Sequence, residues 1–346
     1  MHRYLLSRLL LPLLLAVAAP VQAGVGLTKL PGLQDDEPIS VFYPSAGEER
    51  PMQVGPYSLK LDRDGPPVRG NTRLVVISHG SGGSALSYTD LARRLVEDGF
   101  VVAFPVHRGD NAKDPSSPGP ESWKQRPAEV SRAIDAVARD PRFAALLSLD
   151  KVGMYGMSAG GHTALTLAGG RWSPALLVKH CEAHIAEDFQ TCAGLSTRLT
   201  GGLLDGLKKT VVLGVMRNRF SDATWQTHND ARIQAVVAGV PLAADFDMAS
   251  LASPVVPLGL ITARQDRWLV PRFHSDVVLA ACKPRCELLA DLPDGGHGAL
   301  LSPPPPADGM SDLAKDLLLD PPGFDRGQLP ALDRKISAFM RKHLLP

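Results

Sequence analysis

Aromatic residues are scarce, at 5% of 346, so the composition gives no hint of a stacking platform for sugars. Charge of one sign is missing as well. The chain has 37 Lys and Arg against 36 Asp and Glu, interspersed without long runs of either. A chain that tracks phosphates carries a clustered basic excess, so composition argues against a nucleic-acid partner. There is no G-x-x-x-x-G-K-[ST] loop and no H-E-x-x-H helix, and the glycines after Ser78 do not fit G-x-G-x-x-G. Phosphate-loop, zinc-protease and dinucleotide chemistry therefore have no anchor, and the expectation is a protein without cofactor or metal. Self-similarity at solenoid periods is also absent. What remains is 44% hydrophobic and 21% charged residues, ordinary for a globular protein with a large core.

The first segment reads differently from the rest. His2, Arg3 and Arg8 precede an apolar run, Leu9 to Ala19, that is shorter than the ~20 residues of a membrane span. Val21-Gln22-Ala23 then offers small or apolar side chains before a cut. Residues 1–23 are therefore expected to be a cleaved secretory signal with Gly24 as the mature N-terminus, which makes the protein exported, periplasmic or secreted. Pro12 and the short run weigh against an uncleaved anchor. Four cysteines remain, Cys181, Cys192, Cys282 and Cys286. An even count in an exported chain suggests disulfides. Three pairings are possible, of which the sequence-local one, Cys181–Cys192 and Cys282–Cys286, is the simplest. The donors in His180-Cys181-x-x-His184 match no familiar metal spacing.

Along the mature chain, strand patterns at 39–43, 57–61, 74–78, 100–104, 151–155, 233–238, 258–262 and 287–289 alternate with helical ones at 88–97, 127–139, 159–168 and 333–343. The run Leu74-Val75-Val76-Ile77-Ser78 is near-continuously β-branched, as in a strand buried on both faces. The fold class expected is α/β: a mostly parallel sheet covered by helices on both faces. Two stretches break the rhythm. Residues 171–230 hold one cysteine pair and form either a cap inserted beside the site or an ordinary long crossover. Residues 302–330, with four consecutive prolines from Pro303, are expected to be an irregular surface loop.

Chemistry concentrates at Gly156-Met157-Ser158-Ala159-Gly160, which follows a strand and opens a helix. That is the context a nucleophile elbow requires. A serine on so tight a turn is pushed out above the sheet, and the helix that starts there favours a developing negative charge. A serine hydroxyl needs a base, and in this arrangement the acid and then the histidine follow downstream. Asp266 comes just after the strand at 258–262, and His297 sits between glycines after the last strand. Asp245 and Asp247 compete with Asp266, while Asp291 and Asp294 are too near His297 in sequence. The N–H groups of Ala159 and Ser81 are the expected oxyanion donors, with Gly80 as second choice for the latter. His79 is read as structural within its loop, and His162 as a core or supporting residue. His107 ends a strand on the same sheet edge and is a candidate pocket residue with Gly80.

These residues give the chain a family likeness. It resembles the dienelactone-hydrolase-like branch of the α/β-hydrolases, and within it the platelet-activating-factor acetylhydrolase-like enzymes. The likeness runs from Val41-Phe42-Tyr43-Pro44 through Ser78-His79-Gly80, Pro105-Val106-His107 and the elbow to Asp266 and His297. The resemblance implies hydrolysis of carboxylic esters through an acyl-enzyme on Ser158, with no cofactor. Dienelactone hydrolases proper carry cysteine at the elbow, so their substrate does not transfer to a chain with Ser158. The expectation is thus a serine esterase on a small-molecule ester. A serine peptidase or amidase on the same scaffold is the first alternative. A non-catalytic exported binding protein is the second, against which the Ser, Asp, His order argues.

Overall fold

The computed structural model describes residues 23–346, so the expected leader lies outside the described residues apart from Ala23. Ten strands form one sheet: β1 (Gly24–Leu30), β2 (Ile39–Ser45), β3 (Arg50–Val54), β4 (Tyr57–Arg63), β5 (Leu74–Ser78), β6 (Val101–Phe104), β7 (Val152–Met157), β8 (Ile233–Gly239), β9 (Leu258–Ala263) and β10 (Cys286–Leu292). Their order across the sheet is β10-β9-β8-β7-β5-β6-β2-β1-β4-β3. From β10 to β6 every neighbouring pair is parallel. β2 joins β6 and β1 in antiparallel fashion, which makes one end of the sheet mixed.

The parallel centre follows from the residues. All five side chains of β5 are buried, Leu74 and Val76 toward one core and Val75 and Ile77 toward the other. Helices Pro120–Arg139 and Ala159–Leu167 close the first core, while Thr89–Glu97 and Leu329–Leu344 close the second. Such a sheet places the C-terminal ends of β5, β7, β9 and β10 along one rim, and the loops there carry the site.

Some expectations shift. The helix expected at 127–139 starts at Pro120 and passes through Pro127. Trp123, one turn before Pro127, and Arg126, next to it, are both buried, so the inward face of the helix extends upstream of the expected start. Residues 302–330 are not wholly irregular, because Ser311 caps a helix at Asp312–Leu318. β1 and β3 were not anticipated, and β10 runs to Leu292 rather than ending at Leu289.

Residues 171–230 contain helices Pro174–His184, Phe189–Ala193 and Asp205–Arg219, set between the elbow helix and β8. The cysteines pair locally, Cys181 with Cys192 (Cα–Cα 5.8 Å) and Cys282 with Cys286 (5.6 Å). The buried Asp188 beside the first pair accepts from His180 Nε2 at 2.7 Å and His274 Nε2 at 3.0 Å. Burial alone would raise this carboxyl, but the two histidine hydrogen bonds outweigh it and hold it well below the usual carboxylate range. No described helix is long and apolar enough to cross a membrane.

On the closing helix, burial and the nearby Asp90 carboxylate push the Asp333 carboxyl up from 3.8 to about 7. Between those values the folded chain holds a proton that the unfolded chain has released. Stability is therefore full below the unfolded value and falls as pH rises toward the folded one. Asp333→Asn should therefore melt above wild type at pH 8, with the gap smallest at pH 4. A gap that stays constant across that range would contradict the assignment.

Candidate active site

β7 runs directly into Ser158, and the next helix begins at Ala159. Ser158 has φ 59° and ψ −119°, a conformation that costs an L-residue roughly 1–3 kcal/mol. The surroundings hold it there. Its N–H donates to the Gly239 carbonyl at 3.1 Å, and its own carbonyl accepts from His162 N–H at 3.0 Å. The two motif glycines are required by contact. A Cβ on Gly156 would lie 1.9 Å from the Gly160 carbonyl oxygen, and one on Gly160 would lie 2.0 Å from the Ser78 carbonyl oxygen.

The loops after β9 and β10 lie side by side. Arg264 N–H donates to the Leu292 carbonyl at 2.9 Å, and Gln265 N–H to the Gly295 carbonyl at 2.8 Å. This brings Asp266 to His297, whose Nδ1 is 2.8 Å from Asp266 Oδ2. On the other side, His297 Nε2 is 2.9 Å from Ser158 Oγ. Asp266 Oδ1 accepts from the N–H groups of Trp268 at 2.8 Å and Leu269 at 2.9 Å, which fixes the carboxylate plane. An acceptor carboxylate at Nδ1 requires the Nδ1–H tautomer, so Nε2 presents a lone pair to the serine hydroxyl. The residues 31 and 139 positions apart in sequence thus form one hydrogen-bonded line. Asp245 does not join it, being fully buried with its carboxylate 3.1 Å from His162 Nε2. Asp247 caps a short helix and pairs with Arg171.

The loop after β5 crosses in front of the serine. A Cβ on Gly80 would stand 3.4 Å from Ser158 Cβ. The Gly80 N–H is already engaged, donating to Tyr88 Oη at 3.2 Å. The Ser81 N–H makes no hydrogen bond to protein among the described residues, and Ala159 is the first residue of its helix, with no carbonyl a turn back.

The loop is anchored from below by a fully buried pair, Asp110 and Arg126. Asp110 Oδ1 accepts from Ser81 Oγ at 2.5 Å and Gly82 N–H at 3.0 Å, while its Oδ2 accepts from Arg126 Nη2 at 2.7 Å. Arg126 also donates to the His79 carbonyl at 2.6 Å. Removing one member of a buried pair strands the other charge, so Arg126→Ala should cost about 3–5 kcal/mol, read as a lower urea midpoint. An unchanged midpoint would mean that Asp110 is compensated elsewhere.

His107 differs from its expectation. Its side chain has no exposed surface, so it does not line the cleft. Ser78 Oγ lies 2.7 Å from its Nε2, and Glu129 Oε2 lies 2.6 Å from its Nδ1. Burial, with the Arg126 guanidinium adding to it, holds its pKa well below the ordinary imidazole value, while burial pushes Glu129 up. This second Ser–His–acid line is sealed inside the protein and serves to tie β5 to the helix Pro120–Arg139. His79, as expected, is structural, with its Nδ1 2.7 Å from the Gly80 carbonyl. The Asp110–Arg126 pair escaped sequence reading. Its signal was Arg126 on the same helical stripe as Trp123, Val130 and Ala133, an apolar face where a charge needs a partner.

Ser158, His297, Gly80, Ser81 and Ala159 all open into one cleft of about 1690 Å³. Helix Asp205–Arg219 supplies part of its opposite wall.

A mostly parallel sheet covered on both faces, with a serine at the strand-to-helix elbow, is the α/β-hydrolase fold. Among solved structures, a ferulic acid esterase from Streptomyces cinnamoneus is similar, with a TM-score of 0.58 and 16% identity over 95% of this chain and 92% of that one. At that identity the likeness concerns the fold. No protein-family model and no curated protein sequence matches the chain.

Proposed function

We propose that this protein is a serine hydrolase of carboxylic esters, with Ser158 as nucleophile, His297 as general base and acid, and Asp266 as the residue that orients the imidazole. The observation that carries the reading is the continuous line from Ser158 Oγ through His297 to Asp266, at 2.9 and 2.8 Å. Ser158 Oγ attacks the ester carbonyl carbon as its proton passes to His297 Nε2. The Ser81 and Ala159 N–H groups receive the oxyanion. Collapse expels the alcohol, which takes the proton from His297. A water then attacks the acyl-enzyme, giving its proton to His297, and the carboxylic acid leaves as that proton returns to Ser158. The esterase character of the similar structure supports this reading, as does the resemblance to dienelactone-hydrolase-like and platelet-activating-factor acetylhydrolase-like enzymes. The two disulfides support an exported protein, and residues 171–230 act as the cap over the cleft.

The same triad can serve an amidase, and a direct comparison separates the two. Turnover of p-nitrophenyl acyl esters is expected, with the matching p-nitroanilides far slower. Equal or faster anilide turnover would replace the esterase reading with a peptidase or amidase one. Turnover of neither would leave a binding protein.

A further inference from the structure

We infer that the cleft takes esters bearing a long aliphatic chain, laid along the exposed face of helix Asp205–Arg219; this rests on the ester-hydrolase reading above. The helix has two apolar sides with different fates. Val212 and Met216 are buried and join the core cluster that holds Leu177, Val178 and Phe189. Leu204, Leu207, Val211 and Val215 fall on another face at helical spacing, and they are 66%, 61%, 55% and 46% exposed. These four are among the most exposed large apolar side chains of the described residues. Leaving them open is unfavourable, and contiguous exposed apolar surface marks a place where something binds.

The position of the stripe identifies the occupant. All four residues line the same cleft as Ser158 and His297, so whatever covers them also reaches the nucleophile. From Leu204 to Val215 the stripe makes eleven steps, which at 1.5 Å each is roughly 16 Å, the reach of a fatty chain and far beyond that of an acetyl group. It consists of branched aliphatic side chains and carries no ring on which a planar aromatic acyl group could stack. The ammonium of Lys208, on the same helix, is turned to Asp205 at 2.9 Å and to the Arg198 carbonyl at 2.7 Å. The chain can belong to the acid or to the alcohol, since either half of an ester bound at Ser158 can extend along this wall.

The test is a series of initial rates below the micellar limit. One arm lengthens the acyl group of p-nitrophenyl esters from acetate to dodecanoate. A second lengthens the alcohol in 1-alkyl acetates, and methyl ferulate serves as the planar aromatic substrate. In wild type, kcat/KM should climb in one arm by up to about fourfold per buried methylene, the equivalent of ~0.8 kcal/mol, and the arm that climbs tells which half of the ester lies on the helix. Val211→Asp, and the milder Leu207→Ser, should each reduce the long-to-short ratio of kcat/KM by tenfold or more. Two flat arms, a preference for methyl ferulate over every long chain, or an unchanged ratio in both variants would overturn the inference. If wild type hydrolyses acetate but shows no chain dependence, only the groove assignment falls. If it hydrolyses no ester at all, the ester-hydrolase reading falls with it.

Discussion

Ser158→Ala is expected to lower ester turnover by on the order of 10⁵–10⁶ in kcat, because the covalent route loses its only nucleophile. The fold should survive, since the positive φ at this position is fixed by hydrogen bonds to the main-chain N–H and carbonyl of Ser158, not by the hydroxyl. The comparison to make is kcat for both proteins on one p-nitrophenyl ester, with thermal melting of each. A folded Ser158→Ala protein retaining more than a small percentage of wild-type kcat would place the nucleophile elsewhere.

Asp266→Asn should produce the next largest loss, about 10⁴ in kcat, with KM much less changed. An amide at this position can still hold the ring, but it can turn its NH₂ to His297 and select the tautomer that lacks a lone pair at Nε2. Both backbone N–H groups of the Trp268 turn would then lose a charged acceptor as well. Asp245→Asn is the control, because that carboxylate faces His162 and not His297. Its kcat should stay near wild type even where its melting temperature falls. The reverse pattern would transfer the acid's role to Asp245.

The sequence made the centre of the fold legible because its code there is strong. β5, β7, β8 and β9 are buried on both faces and read as apolar runs. β1, paired with β2 on one side and β4 on the other, and the edge strand β3 carry weaker patterns, and β3 is largely exposed, so little periodic signal marks it. That Ser158, Asp266 and His297 would come together was legible because a strained turn and two loop ends on one sheet rim demand particular residues at particular places. The support beneath them was less so. Arg126 and Asp110 are 16 residues apart, and nothing local links a helix interior to a loop aspartate until the chain folds. His107 was misread as a pocket residue for a related reason. Its position at a strand end is right for a cleft, but Glu129, 22 residues on, draws its ring inward. The exposed stripe on helix Asp205–Arg219 is visible as spacing in the sequence, yet its exposure is a property of the fold alone.

The most direct measurement is to treat the wild-type protein with a fluorophosphonate and locate the adduct by peptide mass. The account predicts one phosphonylated residue, Ser158, with labelling lost when His297 is replaced by Ala. An adduct on any other serine, or none on an intact and folded protein, would contradict it.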